Sequence, residues 1–401
     1  MYTDKLKSFY CTLEKELNNI LKFWIDNIID EENGGFYGYI SNNMTIDKKH
    51  DKSSVLYSRI LWTFSTAYRI YKDEKYLFMA NRAYNFILDH FIDSEFKGVY
   101  WMLGCKGNVV NSKKQVYAIA FTIYGLSEYY RATGNKESLY IAVELFRTLE
   151  KHAYDNELKG YIEAFARDWS PTEDMSLSNK DENAMKTLNT HLHVMEAYTN
   201  LLRVWNNSEL KYRLRELVDV TIEHIIDKEN CCFNLYFDKS WNPLSQSTSF
   251  GHDIEGSWLL REAAEVLGDK EVLVQVNDMA VKMAQTVYDK GIDRKYGGIC
   301  NEAEHGIITD SCKDWWAQAE SIVGFFNAFQ LTGKDYFLNA SFDVWEFIDR
   351  FIVDKEKGEW FWGVSADGKK ITRSDKVGPW KCPYHNSRMC FEMLERLKSL
   401  K

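Results

Sequence analysis

The chain has 401 residues, 45% apolar and 27% charged, with 50 basic against 59 acidic side chains and a net charge of −9. This composition builds a large core under a charged surface and excludes disorder and a collagen repeat, while the acidic balance and the lack of any basic run exclude a nucleic-acid face. Only 4 prolines leave room for long helices, 15% aromatic residues exceed what a helical core consumes, and no stretch of about 18 apolar residues is present to cross a membrane.

At the N-terminus, residues 1–24 carry charges throughout and no apolar leader. Eight cysteines (Cys11, Cys105, Cys231, Cys232, Cys300, Cys312, Cys382 and Cys390) lack C-x-x-C spacing, so free thiols and a cytoplasmic location are expected. The first helix presents Leu13, Leu17, Ile20, Leu21, Trp24 and Ile25 as an apolar stripe. It runs into Ile28-Ile29-Asp30 and the tip Asn33-Gly34-Gly35-Phe36-Tyr37-Gly38. Similar tips follow at Lys97-Gly98-Val99-Tyr100-Trp101, Lys159-Gly160-Tyr161-Ile162, Cys231-Cys232-Phe233, Tyr296-Gly297-Gly298-Ile299 and Lys357-Gly358-Glu359-Trp360. They recur about every 65 residues and read as hairpins.

Between tips the pattern is helical and long enough for two helices, as in Ser53 to Tyr71 followed by Glu74 to His90. Length alone suggests two or three domains. The repeat replaces that count with six units sharing one core: an all-α fold, an (α/α)6 barrel of twelve helices in six helix pairs with short β-hairpins in the connecting loops, and one catalytic domain over 1–401. An open solenoid would need polar capping repeats, yet the last helix (Met389, Phe391, Met393, Leu394, Leu397) is as striped as the first.

Four segments stand out where chemistry would gather at one end of such a ring. In Asn189-Thr190-His191-Leu192-His193, Asn189 and His193 share a helix face and His191 points elsewhere. In Gly251-His252-Asp253-Ile254-Glu255-Gly256-Ser257-Trp258, three-residue spacing aligns an imidazole, a carboxylate and an indole, a set suited to a sugar. Lys313-Asp314-Trp315-Trp316-Ala317-Gln318-Ala319-Glu320 puts a doubled Trp at the entry of another helix, offering one ring to the core and one to a ligand. The rigid stretch Gly378-Pro379-Trp380-Lys381-Cys382-Pro383-Tyr384-His385-Asn386-Ser387-Arg388 brings another imidazole to the start of the last helix. His191-x-His193 diverges on a helix, where metal ligands sit four apart, so no metal is expected.

At NTHLHVMEAYT, SFGHDIEGSWLL, KDWW and GPWKCPYHNSRM the chain resembles the N-acylglucosamine 2-epimerase superfamily over nearly its whole length. The resemblance implies an (α/α)6 barrel and cofactor-free inversion at C2 of the reducing-end glucose of β-1,4-linked disaccharides, cellobiose giving glucosylmannose and lactose giving epilactose. It puts the paired acid/base histidines on His252 and His385, a third site histidine on His193 and an arginine facing the reducing-end oxygens on Arg59. Tyr117, Asn189, Glu255 and Asp181 then match polar positions of the pocket. Trp315 and Trp380 match its aromatic plates, with Trp316 and Trp258 beside them.

The chemistry this requires is ring opening to the aldehyde, assisted by His193, then proton removal from C2 by a neutral imidazole. Arg59 would hold the enediolate oxygen. After rotation about C2–C3, the second imidazole returns a proton to the other face. Rival readings are an aldose–ketose isomerase, a monosaccharide 2-epimerase, a glycoside hydrolase using Asp253, Glu255 or Asp314, and a non-catalytic sugar binder. The expected partner is a small disaccharide, with no nucleic acid, membrane or cofactor, and the expected state a monomer.

Overall fold

The structure is a computed structural model describing residues 2–179, 181–372 and 374–398. Twelve α-helices appear among these residues. The inner set comprises α2 (Ser54–Tyr71), α4 (Val116–Thr133), α6 (Leu188–Leu202), α8 (Phe250–Leu267), α10 (Trp315–Thr332) and α12 (His385–Lys398). The outer set comprises α1 (Tyr2–Asn27), α3 (Glu74–Phe86), α5 (Lys136–His152), α7 (Ser208–Val220), α9 (Lys270–Thr286) and α11 (Asp335–Phe347). This is the (α/α)6 arrangement. The inner helices are buried nearly all round, as the unbroken run Val116–Tyr129 of α4 shows, whereas the outer ones bury one stripe, such as Ala142, Leu145, Phe146 and Leu149 of α5.

Local chemistry sets the ends. Ser53, Thr187 and Ser249 cap α2, α6 and α8 by accepting from backbone N–H groups three residues on. Three inner helices stop at a glycine in the left-handed region, Gly134, Gly268 and Gly333, followed at once by the next helix. The expected helix to His90 ends differently. Its last residues, Ile87–Phe91, form a π-helical turn, as do Thr221–Ile225, Val287–Gly291 and Ile348–Ile352. Each widened turn delivers the chain into a hairpin.

All six expected hairpins are present, closed by antiparallel pairs at Ile29 and Phe36, Ile92 and Val99, Tyr154 and Tyr161, Ile226 and Phe233, Ile292 and Ile299, and Val353 and Trp360. The short strand before each of five inner helices pairs with the following repeat, for example Lys52–Ser53 with Met102–Leu103 and Lys186–Thr187 with Tyr236–Phe237. Neighbouring repeats are thereby laced at the end where the inner helices begin.

The sixth helix pair joins the two ends of the chain, α12 against α1. Trp24 of α1 donates to Glu359, Trp360 donates to Glu16 of α1 at 2.7 Å, and Ile40–Ser41 pairs with Asp375–Val377. Trp62 of α2 meets Phe391 of α12 with ring centroids 6.3 Å apart, so the ring closes. The eight cysteines are all unpaired, and no helix among the described residues is long and apolar enough to cross a membrane.

Close approach of inner helices rests on missing side chains. A Cβ at Gly125 of α4 would stand 2.7 Å from the Ser58 carbonyl oxygen of α2. Helix propensity alone predicts that Gly125→Ala stabilises by about 1 kcal/mol. The backbone contact reverses the sign, and urea titration is expected to show a loss of about 1–3 kcal/mol.

Candidate active site

The first two turns of the six inner helices converge at one end of the ring, the basin, and each supplies a polar or aromatic side chain. Arg59 comes from α2, Tyr117 and Phe121 from α4, Asn189 and His193 from α6, and His252 and Glu255 from α8. Trp315, Trp316 and Glu320 come from α10, and His385 and Arg388 from α12. The loop before α12 adds Trp380, Cys382 and Tyr384.

At the bottom lies Arg388, 1% exposed, surrounded by three carboxylates. Its Nη1 donates to Glu196 and to the Tyr384 hydroxyl, while Nη2 donates to Glu255 and, at 2.6 Å, to Glu320. Two of these carboxylates each carry a histidine. His193 Nδ1 lies 2.8 Å from Glu196, and His385 Nδ1 lies 2.8 Å from Glu320. Glu320 also accepts from the Trp258 indole at 3.1 Å and from Arg388, so it acts as an acceptor throughout and the His385 Nδ1–H donates to it. That leaves the Nε2 lone pair of His385 free.

Burial would raise Glu196, but Arg388 and the hydrogen bond from His193 override it and hold the carboxyl down to about 2. Burial and the neighbouring Glu320 push Glu255 up to about 7. Burial, then Arg59 and Arg388, keeps His385 well below the ordinary imidazole range, and burial with His193 brings His252 down to about 3. Both imidazoles therefore rest neutral at pH 7.

Arg59 is 3% exposed. It donates to the Tyr117 hydroxyl at 2.8 Å, and its guanidinium lies 4.2 Å from the Phe121 ring centre and 4.9 Å from that of Tyr384. It makes no ion pair among the described residues, and its Nε has no hydrogen-bond partner. A buried cation held by rings instead of a carboxylate is a ready seat for a developing oxyanion.

Trp316 forms a wall shared by two imidazoles, 4.8 Å from the ring centre of His252 and 5.7 Å from that of His385. His252 Nδ1 is 2.9 Å from the Ser249 hydroxyl. On its other side a narrow pocket is lined by His252, Asn189, Asp181, Tyr236 and Glu163. Asn189 Oδ1 is buried there without a partner, and Glu163, accepting from Thr187 and Thr190, is pushed up to about 7 by burial. Trp380 packs 5.8 Å from Tyr117 and 6.0 Å from Trp101.

Some expected residues take different places. Trp258 does not line the basin: it is 2% exposed, lies beneath Arg388 and holds Glu320, so its expected place against a sugar gives way to one in the floor. The ring of Trp315 is likewise buried, packed on Trp362 with centroids 4.6 Å apart, and Trp316 is the more open of the pair. Glu255, 1% exposed, faces Arg388. His191 is structural, its Nδ1 2.7 Å from the Thr187 carbonyl and its Nε2 accepting from Tyr161 N. Asp253 accepts from Phe233 N at the hairpin, and Asp314 takes the Trp362 indole, so the carboxylates a glycoside hydrolase would need are engaged elsewhere.

Sequence reasoning gave no role to Glu196, Glu320, Arg388, Tyr384, Phe121 and Trp101, although Glu320, Tyr384 and Arg388 fall inside segments it singled out. A signal existed for two of them. Glu196 and Glu320 are lone carboxylates inside apolar helical runs, which a soluble protein tolerates only when paired. Glu255, Glu320 and His385 lie close enough to chelate a cation, and the Arg388 guanidinium already bonds both glutamates.

The family model for N-acylglucosamine 2-epimerase (GlcNAc 2-epimerase) matches residues 35–388. A cellobiose 2-epimerase of Bacteroides fragilis is 46% identical over 383 residues, covering 95% of this chain and 97% of its own. The solved cellobiose 2-epimerase from Bacillus thermoamylovorans superposes with a TM-score of 0.92 at 40% identity, covering 97% of this chain and 100% of that one. Human N-acylglucosamine 2-epimerase is 25% identical over 406 residues, 96% of this chain and 90% of its own.

Proposed function

This chain belongs to the N-acylglucosamine 2-epimerase family, and from that membership we propose that it inverts C2 of the reducing-end glucose of β-1,4-linked disaccharides, turning cellobiose into glucosylmannose and lactose into epilactose. It is an isomerase of the epimerase type. The observation that carries the reading is a pair of neutral imidazoles, His252 and His385, sharing Trp316 as a wall, with Arg59 held opposite without a carboxylate partner.

The substrate's reducing end enters with its O1 and O2 toward Arg59 and Tyr117. His193, steadied through Nδ1 by Glu196, moves the proton that opens the pyranose to the aldehyde. His385 Nε2 then removes the C2 proton. The resulting imidazolium is stabilised by Glu320 behind it, and the enediolate oxygen by the Arg59 guanidinium. After rotation about C2–C3, His252, which takes up a proton from solvent once the enediolate has formed, delivers it to the opposite face, and His385 gives its proton to solvent, so that both imidazoles end the turnover neutral. Its partner, the Ser249 hydroxyl, both donates and accepts and so serves either protonation state. In the reverse direction the two exchange roles.

Trp316 and Trp380 are the rings placed against sugar faces, and Asn189 and Asp181 reach its hydroxyls. The same reading makes the twelve helices one catalytic domain over 1–401, working in the cytoplasm as a cofactor-free monomer on a small-molecule disaccharide. A proton NMR time course of cellobiose in deuterated buffer tests it. Loss of the C2 proton signal with mannose-type anomeric signals is expected. A ketose as the main product, or free glucose, would overturn it.

A further inference from the structure

We propose that the fourth repeat carries a site for an exogenous protonated primary amine, seated where the other five repeats seat a lysine of their own. The inference stands apart from the sugar chemistry and rests on comparing the six hairpin turns. Each turn begins with an aspartate: Asp30, Asp93, Asp155, Asp227, Asp293 and Asp354. In all six, Oδ1 accepts the backbone N–H groups two and three residues on, for instance Glu32 and Asn33 at Asp30, and Glu229 and Asn230 at Asp227. The six carboxylates are therefore held in the same way, with Oδ2 turned to the strand that leads into the inner helix.

In five repeats that oxygen meets a buried lysine. Lys52 reaches Asp30 at 3.0 Å, Lys114 reaches Asp93 at 2.8 Å, Lys186 reaches Asp155 at 3.0 Å, Lys313 reaches Asp293 at 2.9 Å and Lys376 reaches Asp354 at 2.5 Å. These lysine side chains are at most 1% exposed. Backbone carbonyls complete the seat, Gly34 O at 2.8 Å for Lys52 and Lys159 O at 2.7 Å for Lys186. An aromatic ring often lies against the ammonium, as Trp241 does 4.5 Å from Lys186 and Phe86 does 5.0 Å from Lys52.

The fourth repeat has Thr248 at the lysine position, two residues before α8 as Lys186 stands two before α6. Threonine cannot reach the aspartate, and a cavity of about 310 Å³ adjoins Asp227, Asn230, Cys232, Phe233 and Thr248. Asp227 Oδ2 takes the Asn230 amide at 2.7 Å, a neutral donor, and no ion pair joins Asp227 to a cation among the described residues. Lys290, exposed at the cavity's rim, lowers the Asp227 carboxyl only from a distance. The carboxylate and the register thus repeat the lysine seat without the lysine. Beyond Cβ a lysine side chain runs through Cγ, Cδ and Cε to Nζ, the skeleton of n-propylammonium, of which Thr248 supplies only a γ-carbon.

Thermal unfolding of the full chain in n-propylammonium chloride, against tetramethylammonium chloride at equal concentration, tests the site. A selective rise in Tm of about 1–3 °C is expected for n-propylammonium, because only the folded state binds it. Thr248→Lys should fill the seat, raise Tm by itself and abolish the selective response. Asp227→Asn should abolish it without filling the cavity. Equal effects of the two cations on the unsubstituted protein, or an undiminished selective response in Asp227→Asn, would overturn the proposal. The Asp227→Asn comparison decides alone should Thr248→Lys fail to fold.

Discussion

His385→Ala is expected to lower kcat on cellobiose by roughly 10²–10⁴-fold and to abolish deuterium exchange at C2 of the glucose form, because it removes the group proposed to take that proton. His252→Ala should lower net epimerisation to a similar degree yet behave differently in heavy water. With His385 intact, the C2 proton still leaves and a deuteron returns from the same face, so exchange continues without inversion. Starting from the mannose-type epimer, the two variants should trade phenotypes. This crossed pattern, followed by proton NMR, is what two imidazoles serving opposite faces require. Exchange from the glucose form at an unreduced rate in His385→Ala would remove it from the role assigned here. The different settings of the two rings, one on the Glu320 carboxylate and one on the Ser249 hydroxyl, are the structural basis for assigning His385 to the glucose form.

Arg388→Met should produce the largest loss of stability. It leaves Glu196, Glu255 and Glu320 buried around an apolar side chain, and removing one partner of a buried ionic cluster costs about 3–5 kcal/mol. The pH dependence follows from Glu196. Its folded pKa of about 2 lies below the ordinary 4.5, so it stabilises the native state above that ordinary value, and the contribution is lost as pH falls from 4.5 toward 2. The shift corresponds to about 3 kcal/mol. Without Arg388, first among the groups holding Glu196 down, most of that contribution goes. The gap between the two proteins in urea midpoint should be widest near neutral pH and narrow toward pH 2. A gap that does not change with pH would show that the arginine acts by packing alone. Activity should fall as well, since His193 and His385 both hang from carboxylates that Arg388 positions.

Much of this architecture is legible in the sequence because it is locally encoded. The hairpin tips, the acidic turns before them and the caps at Ser53, Thr187 and Ser249 depend on neighbours a few residues away, and the helical periodicity between them separates buried inner helices from striped outer ones. The divergence of His191 and His193 follows from two residues on one helix. Even the lysine missing at Thr248 is visible as a break in a repeat, although its meaning needs the cavity beside Asp227.

The site resists local reading where it depends on which helices meet. Trp258 aligns with His252 and Glu255 along α8, yet the stripe descends, so the imidazole reaches the basin while the indole ends in the floor beneath Arg388. The partners of Arg388 lie on α6, α8 and α10, far away along the chain, and only closure of the ring brings them to one guanidinium. The sixth helix pair joins the first helix to the last, which a unit of two consecutive helices does not anticipate. By itself, the sequence determined the repeat and the barrel class, because periodicity and capping act over a few residues, and its resemblance to the family put forward the histidines proposed for the chemistry. Only the tertiary structure decided which buried charges neutralise one another and which rings face the basin, because the energy of a buried ion or ring depends on what lies within a few ångströms of it, whatever its distance along the chain.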